Sequence, residues 1–335
     1  MRAAMRTMVV SAAFAGVSFA SVSLVGSQSA AAEEWTCYTY IPNAQHVTVQ
    51  GLTEIGRRIE QITDGEITVT CHAGGSLGIS AADITAAVSD GVVQYASNAF
   101  ITGSVPLVGI FSLPGLFSTE EELEVGLEIM EPYIAEAMSQ QGLVFLGTYH
   151  YPRQVIFSTE AIDSLDDLQG KKVRVASVEQ AEFATRFGGS PVTIGTPDVA
   201  SALQLGTISV VLTAASGGAR LWSDLLTSNH VIGPNYTVSP IFMNVDAWDE
   251  LTAEQQEEVR AAVSEVSTGV TDSMRDENAQ LTEQFASKGM TITQGTPEEE
   301  AQLIERLQDY WPQWAEERGD VAKEALGKVR EALGK

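Results

Sequence analysis

The sequence predicts an α/β protein in which sheets are flanked by helices, and its 335 residues are enough for two compact units. Two observations support this fold class. From Trp35 onward, short runs rich in β-branched and aromatic residues alternate with helical patterns, as in parallel sheets with crossover helices. Toward the C-terminus, one helical pattern is far longer than a single small unit requires.

The predicted strands are bounded by turn-forming residues. They are WTCYTYI (35–41), EITVTCH (66–72), VVQYAS (92–97), LVFLGTY (143–149), QVIFST (154–159), KVRVAS (172–177), SPVTI (190–194), ISVVLTA (208–214), SPIFMNV (239–245) and MTITQ (290–294). Helical patterns at 46–63 and 80–90 separate the first three runs, and each of these patterns ends at a turn that contains glycine.

Three later helices have clear start signals. One covers 196–206 and opens with Thr-Pro-Asp, and another opens at 296 with Thr-Pro followed by three glutamates. The third covers 252–288 and has Gly289 as its expected C-terminal cap. At about 1.5 Å per residue this helix spans roughly 50 Å, so we expect it to lie across both units.

The chain is acidic, with 19 Lys and Arg against 44 Asp and Glu and a formal net charge of −25. Nucleic acids and anionic membrane surfaces are bound through basic patches, so neither is expected as a partner. The histidines at positions 46, 72, 150 and 230 show no metal-ligand spacing, and the sequence has no P-loop pattern. We therefore expect no metal site and no cofactor.

The N-terminus has the pattern of a secretory signal peptide. Arg2 and Arg6 precede an uncharged run from Thr7 to Ala32 that ends in small residues, with Ala30 at the upstream small position. The alternative is a retained membrane anchor, but serines interrupt the run. We expect cleavage after Ala32, removal of residues 1–32 and export of the remaining chain.

Cys37 and Cys71 are the only cysteines. Both lie in predicted strands, and two cysteines in an exported protein indicate one disulfide, provided that the strands are adjacent. The alternative is a pair of buried thiols without a bridge.

A cluster of cations stands out in this acidic chain, in DLQGKKVRV at 167–175. Strand side chains alternate, so Lys172 and Arg174 share one face of the predicted strand while Val173 and Val175 share the other. A guanidinium at the end of a half-buried strand needs an anionic partner. From the residues alone, that partner is either a ligand or a neighbouring carboxylate.

The turn GGSLG at 74–78 matches the G-x-S-x-G nucleophile pattern of α/β hydrolases. In that interpretation Ser76 is the nucleophile of a secreted serine hydrolase, with His150 or His230 as its base. The alternative is a tight turn whose glycines reverse the chain at the start of a helix. We favour the turn, because no acid or histidine partner can be identified from local context, and we expect no catalytic site.

Several segments together resemble the solute-binding components of TRAP transporters, the DctP-like family of exported organic-acid receptors. They are ITDGEITVTCHAGGSLG (62–78), AVSDGVVQYAS (87–97), PLVGIFSLPGLF (106–117), IDSLDDLQGKKVRVAS (162–177), ALQLGTIS (202–209) and FMNVDAWDELTAEQQEEV (242–259). They occur in the family's order and extend over nearly the whole chain that follows the N-terminal segment.

The resemblance implies a two-lobe periplasmic binding protein fold, with mixed sheets flanked by helices, a ligand cleft between the lobes and the long helix spanning both. We expect lobe I from residues 33–154 and 244–290, and lobe II from 155–243 and 291–335. The resemblance further implies a periplasmic location, a small organic acid as ligand, and the membrane permease subunits of a TRAP transporter as partners. It leaves the oligomeric state open.

The resemblance also implies that Arg174 is the arginine that binds the ligand carboxylate. A guanidinium pairs bidentately with a carboxylate, and a closed cleft screens that pair little. Arg153 matches a second polar contact near the crossing between lobes, with Tyr151 as the alternative. Further candidates in lobe I follow predicted strand ends, where open α/β sheets bind ligands. They are His46, Ser97, Asn98 and Phe100.

The sequence departs from the commoner family pattern after ALQLG, where Ser209 and Val210 replace an acidic, glycine-containing turn. The contacts expected from this wall are Thr213, Ser216 and Trp222. Such a wall indicates a ligand with one carboxylate and an apolar or aromatic remainder, and puts four-carbon dicarboxylates in doubt. The alternatives to a TRAP receptor are the secreted hydrolase and the binding protein of another uptake or sensor system.

Overall fold

In the computed structural model, which describes residues 32–335, the strands form two separate sheets. The first contains β1 (Glu33–Thr39), β2 (Ile67–His72), β3 (Tyr95–Ser97), β4 (Leu143–Tyr151) and β10 (Thr237–Asn244), in the order β2-β1-β3-β10-β4. The second contains β5 (Val155–Ser158), β6 (Lys172–Val175), β7 (Ser190–Thr193), β8 (Val210–Thr213), β9 (Ser228–Val231) and β11 (Thr291–Gln294), in the order β11-β9-β5-β8-β6-β7.

Both sheets are mixed, as expected. In the first, β10 runs antiparallel to β3 and β4, while β1 is parallel to β2 and β3. In the second, β5 is antiparallel to β8 and β9, whereas β6 is parallel to β7 and β8. We call the first sheet with the helices packed on it lobe I, and the second sheet with its helices lobe II.

Helices connect the strands of both sheets. They are α1 (Val47–Ile62), α2 (Ile84–Ser89), α3 (Glu120–Ser139), α4 (Val178–Arg186), α5 (Val199–Gln204), α6 (Arg220–Trp222), α7 (Val245–Asp249), α8 (Ala253–Ser287), α9 (Pro297–Leu307), α10 (Tyr310–Arg318) and α11 (Asp320–Leu333). An irregular turn at Ala215–Ala219, interrupted by the non-helical backbone of Gly217, follows β8.

Local sequence signals set the bounds of the long helix α8. The Thr252 hydroxyl accepts from the Gln255 amide, and the Gln255 side chain accepts from the Thr252 amide, which forms a capping box at the N-terminus. At the other end Gly289 has a φ of +100°, a conformation that glycine adopts without strain. The predicted helix over 252–288 is therefore confirmed.

The long helix packs on both lobes. Val263 and Met274 lie in the same apolar cluster as Trp35 and Ile55 of lobe I. Farther along the helix, Phe285 packs edge-on against Phe157 of β5, with ring centres 6.2 Å apart. The helix thus ties the two lobes together along one side.

The expected disulfide is present between Cys37 and Cys71. These residues lie directly opposite each other in the parallel pair of β1 and β2, with their Cα atoms 4.4 Å apart. The bridge therefore fastens an edge strand of the first sheet to its neighbour.

Two segments that were expected in lobe II, residues 237–243 and the C-terminal helices α10 and α11, pack with lobe I instead. Strand β10 pairs with β3 and β4, so residues 237–244 belong to the first sheet. Helices α10 and α11 bury Trp311 and Val329 in one apolar cluster with Met130 of α3, and α11 is the helix that packs on α3. The chain therefore crosses between sheets at 152–154, at 232–236 and after α8, and the C-terminal helices cover lobe I.

The expected signal peptide, residues 1–32, lies outside the described residues except for Ala32. Within residues 32–335, no helix is both long enough and apolar enough for a membrane span.

Candidate functional site

A cavity of about 110 Å³ lies between the two lobes. Its lobe I wall follows the carboxyl ends of β1 and β3, at Tyr40 and Phe100. Its lobe II wall includes Arg174 in β6 and Thr213 at the carboxyl end of β8. This is the position at which open α/β sheets bind ligands, because backbone groups and loops converge there. This volume is enough for several water molecules, and therefore for a small solute.

Arg174 is the charged centre of this cavity. The residue is only 4% exposed, and its Nε donates a hydrogen bond of 3.0 Å to the Ile194 carbonyl oxygen. Its Nη2 has no hydrogen-bond partner among residues 32–335, and its guanidinium carbon lies 5.7 Å from the ring centre of Trp222. Burial lowers the pKa of Arg174 to about 10, so the group stays protonated at neutral pH.

Such an arrangement is costly unless a ligand completes it. A buried cation without a counter-ion loses its hydration and gains no compensating charge pair. Among the described residues that line the cavity, none is an aspartate or glutamate. The sequence left two possible partners for Arg174, a ligand or a neighbouring carboxylate. No carboxylate of the described residues pairs with Arg174, which leaves the ligand.

Tyr40 and Tyr151 form a hydroxyl pair at the lobe I wall, with their oxygens 2.7 Å apart. The Tyr40 ring also contacts Phe100 edge to face, with ring centres 5.1 Å apart. Burial raises the pKa of both tyrosines, so both hydroxyls are protonated at neutral pH. One proton of the pair is used between the two oxygens, and the other can be donated to a third group.

His46 caps α1 at the edge of the cavity. Its Nδ1 accepts from the Thr48 amide at 3.2 Å, which satisfies one of the free N–H groups at the start of the helix. Burial, with a contribution from Arg220, lowers the pKa of His46 to about 4. His46 is therefore uncharged at neutral pH.

The GGSLG turn supports the wall rather than forming a catalytic site. The Gly74 amide donates to the Ile41 carbonyl oxygen at 2.7 Å, and a Cβ at Gly74 would clash with the carbonyl oxygen of Tyr40. The Ser76 hydroxyl is exposed and donates to the Ala73 carbonyl oxygen at 2.6 Å. The glycine lets this turn pack against the backbone that presents Tyr40 to the cavity.

The histidines considered as a base for Ser76 are engaged elsewhere. His150 Nε2 lies 3.1 Å from a Glu124 carboxylate oxygen, and His230 Nε2 lies 3.1 Å from one of Glu299. Neither ring contacts Ser76, so no nucleophile–base pair is formed.

Residues 38–318 match the family described as bacterial extracellular solute-binding protein, family 7, or DctP. The chain belongs to this family. It is a solute-binding protein and not an enzyme, and the expected resemblance is confirmed.

This solute-binding protein is similar to known proteins over most of its length. YiiZ of Salmonella typhimurium, described as uncharacterized, is 30% identical over 67% of this chain and 70% of its own. The ectoine-binding periplasmic protein TeaA of Halomonas elongata is 25% identical over 79% of this chain and 81% of its own. The crystal structure of DctP7 of Bordetella pertussis, a receptor binding pyroglutamic acid, superposes with a TM-score of 0.82 at 23% identity, covering 89% of this chain and 100% of that one.

Six of the expected site residues line the cavity of this solute-binding protein. They are His46, Phe100, Tyr151, Arg174, Thr213 and Trp222. Gly218 accounts for the position of the Trp222 ring, because a Cβ at Gly218 would clash with it. The Gly218 amide also donates to the Thr213 hydroxyl at 2.9 Å, which fixes the turn between these two residues.

Four other expected site residues do not line the cavity. Arg153 donates from Nη1 and Nη2 to the two carboxylate oxygens of Glu300, at 2.7 and 2.9 Å, so its guanidinium is occupied. The Ser216 amide donates to the Asn278 side chain of α8 at 3.1 Å. Both residues therefore connect their segments to distant helices instead of facing the cavity.

Ser97 and Asn98 hold residues that do face the cavity or pack behind it. The Ser97 hydroxyl lies 2.9 Å from the Tyr149 hydroxyl, in the interior of the first sheet. Asn98 Oδ1 accepts from the Phe100 amide at 2.9 Å, and its Nδ2 donates to the Ala81 carbonyl oxygen. Asn98 thus positions Phe100 at the cavity wall.

Several lining residues, among them Tyr40 and Gln180, were not predicted from the sequence. Tyr40 directly follows β1, so the rule that ligands lie at carboxyl strand ends could have identified it. Gln180 lies in the first turn of α4, where its Oε1 accepts from the Ala176 amide at 2.8 Å. That helix was not predicted from the sequence, although the Ser177 hydroxyl caps it by accepting a hydrogen bond from the Gln180 amide.

Proposed function

We propose that this solute-binding protein is the periplasmic receptor of a TRAP-type transporter. It captures a small organic acid between its lobes and delivers the acid to the membrane permease subunits. The observation that carries the proposal is the buried guanidinium of Arg174, which faces the cavity with an Nη2 that lacks a partner among residues 32–335.

The guanidinium supplies what a carboxylate needs. Its planar fork can donate two parallel hydrogen bonds to the two carboxylate oxygens, while the Nε bond to the Ile194 carbonyl oxygen keeps the fork in place. Water is largely excluded from this position, so the charge pair is little screened. The hydroxyl pair of Tyr40 and Tyr151 adds polar hydrogen-bonding groups on the opposite wall.

Binding and closure are coupled in this proposal. Arg174 belongs to lobe II and Tyr40 to lobe I, so an acid held by both favours the arrangement in which the lobes are together. The ligand stabilises that state only by the difference between its affinities for the closed and open forms. The related proteins whose names state a ligand, DctP7 with pyroglutamic acid and TeaA with ectoine, support a small solute.

We also propose that the protein is exported and that its signal peptide is removed. The basic start, the apolar run and the small residues before Glu33 fit a signal peptide cut after Ala32, as the extracellular family leads us to expect. N-terminal analysis of the protein from the periplasm tests this point: a mature chain that starts at Glu33 supports it, and a retained N-terminal segment contradicts it.

The binding function is tested by identifying the small molecule that co-purifies with the protein, by mass spectrometry, and then measuring its affinity by calorimetry. An organic acid is expected, and Arg174→Lys should weaken its binding at least tenfold because lysine lacks the bidentate fork. Arg186→Lys is the matched control, since Arg186 pairs with Glu182 and Asp309 outside the cavity. Equal affinities of wild type and Arg174→Lys would refute the carboxylate assignment.

A further inference from the structure

Although the protein is strongly acidic, the only charged side chain among the described residues that line the cavity is a cation. Among the described lining residues, Arg174 is the only one that is charged at neutral pH, since no aspartate or glutamate lines the cavity and His46 is neutral. The remaining polar lining groups are uncharged. They are hydroxyl and amide groups, such as those of Tyr40, Tyr151, Gln180 and Thr213.

The nearby cations are already neutralised by protein carboxylates. Arg220 bonds Glu277 at 2.8 Å, and Arg153 forms the bidentate pair with Glu300. Neither of them lines the cavity. A second anionic group of a ligand would therefore find no free cation among the described residues of the walls.

We propose that the ligand carries exactly one charged group, a carboxylate at Arg174, and an otherwise uncharged remainder. The inference rests on the proposed function and narrows it: neither dicarboxylates nor α-amino acids are the natural ligand. A single carboxylate neutralises Arg174, so the closed cleft holds no net charge.

Each excluded class would leave a buried charge without a partner. A dicarboxylate brings a second carboxylate into a wall that offers only hydroxyl and amide groups. An α-amino acid brings an ammonium beside Arg174, where no carboxylate can compensate it and the guanidinium repels it. An unpaired buried charge weakens binding by at least about a hundredfold.

A size-matched series of acids tests the inference. Pyroglutamate and cyclopentanecarboxylate carry one negative charge on a five-membered ring, proline has the same ring size with an added ammonium, and glutarate carries two carboxylates. The series is placed in a larger panel with equal numbers of monocarboxylates, dicarboxylates and amino acids, and binding is measured by thermal shift and calorimetry at pH 7.5. We expect the tightest ligand to be a monocarboxylate, with every dicarboxylate and amino acid at least about a hundredfold weaker.

A second arm uses the pH dependence of dicarboxylate binding. If only the half-protonated form fits, the apparent affinity for glutarate should rise about tenfold per pH unit as the pH falls from 7.5 to 6.0, while that for a monocarboxylate stays constant. His46 remains neutral over this range because its pKa is about 4.

The outcomes separate this inference from the function on which it rests. A dicarboxylate or amino acid that binds within tenfold of the best monocarboxylate, or glutarate binding that does not change with pH, overturns the single-charge inference but leaves a carboxylate receptor in place. If Arg174→Ala leaves the affinity for the best acid unchanged, the proposed function itself is wrong.

Discussion

Arg174→Met separates the role of this arginine in binding from any role in folding. Within residues 32–335 the guanidinium makes one hydrogen bond, from Nε to the Ile194 carbonyl oxygen, and lies 5.7 Å from the centre of the Trp222 ring. Its Nη2 makes none with the described residues, and the residue is almost fully buried. Methionine keeps an unbranched, adaptable stem in the same space without the charge.

The two effects of this change differ in size and sign. Loss of the Nε hydrogen bond costs about 1.5–3 kcal/mol, but removal of an unpaired buried cation returns a similar or larger amount. The free energy of unfolding without ligand should therefore change by less than about 1 kcal/mol or increase. Removing one partner of a buried charge pair costs about 3–5 kcal/mol, so the affinity for the acid should fall by roughly a hundredfold to a few thousandfold.

Urea denaturation of ligand-free protein and calorimetry with the co-purified acid measure the two effects. The ligand must first be removed by unfolding and refolding, because a bound acid raises the apparent stability. Arg186→Met is the control and should leave the affinity unchanged. If Arg174→Met lowers the free energy of unfolding by more than about 3 kcal/mol and keeps its affinity, the arginine is structural and our reasoning is refuted.

Three further predictions concern the disulfide, the helix cap and the turn of lobe II. Replacing Cys37 and Cys71 together by serine should lower the free energy of unfolding by about 3–4 kcal/mol, because the bridge closes a loop of sequence separation 34; unchanged stability in urea would contradict this. The stability that neutral His46 contributes is fully present above pH 6.5 and is lost as the pH falls toward 4, so unfolding at pH 4.5 should be easier than at pH 7 by roughly 2–3 kcal/mol from this group alone. His46→Asn, which keeps a capping side chain, should remove that part of the pH dependence, and an unaltered profile would count against it. Gly218→Ala should weaken acid binding at least tenfold by displacing Trp222, whereas Gly269→Ala, with open space at its Cβ position, should not; calorimetry on both variants decides.

Local signals in the sequence were sufficient for much of the fold. The start at Thr252 and the glycine at position 289 predicted the long helix within one residue at each end, because helix ends depend mainly on neighbouring residues. Strand β9, SNHV, was missed because its side chains are polar and have little strand propensity. Strand β9 is stabilised instead by tertiary hydrogen bonds, such as that between His230 Nδ1 and the Thr293 hydroxyl at 2.8 Å.

In the site, too, some residues were predictable from local sequence and others were not. Alternation along KVRV placed Arg174 on the face opposite Val173 and Val175, which pack in the lobe II core, as the strand register now shows. The position of Arg153 could not be predicted, because its partner Glu300 lies 147 residues away in the sequence. Local patterns identify which residue types are available, but long-range pairing decides which of them remain free to bind a ligand.

The decisive experiment is a crystal structure of the protein with its co-purified acid. We expect both carboxylate oxygens of the ligand within about 2.7–3.2 Å of the guanidinium nitrogens of Arg174, in a closed cleft. A ligand whose acid group binds elsewhere in the cleft, or an Arg174 that turns to a protein carboxylate when the ligand is present, would contradict it.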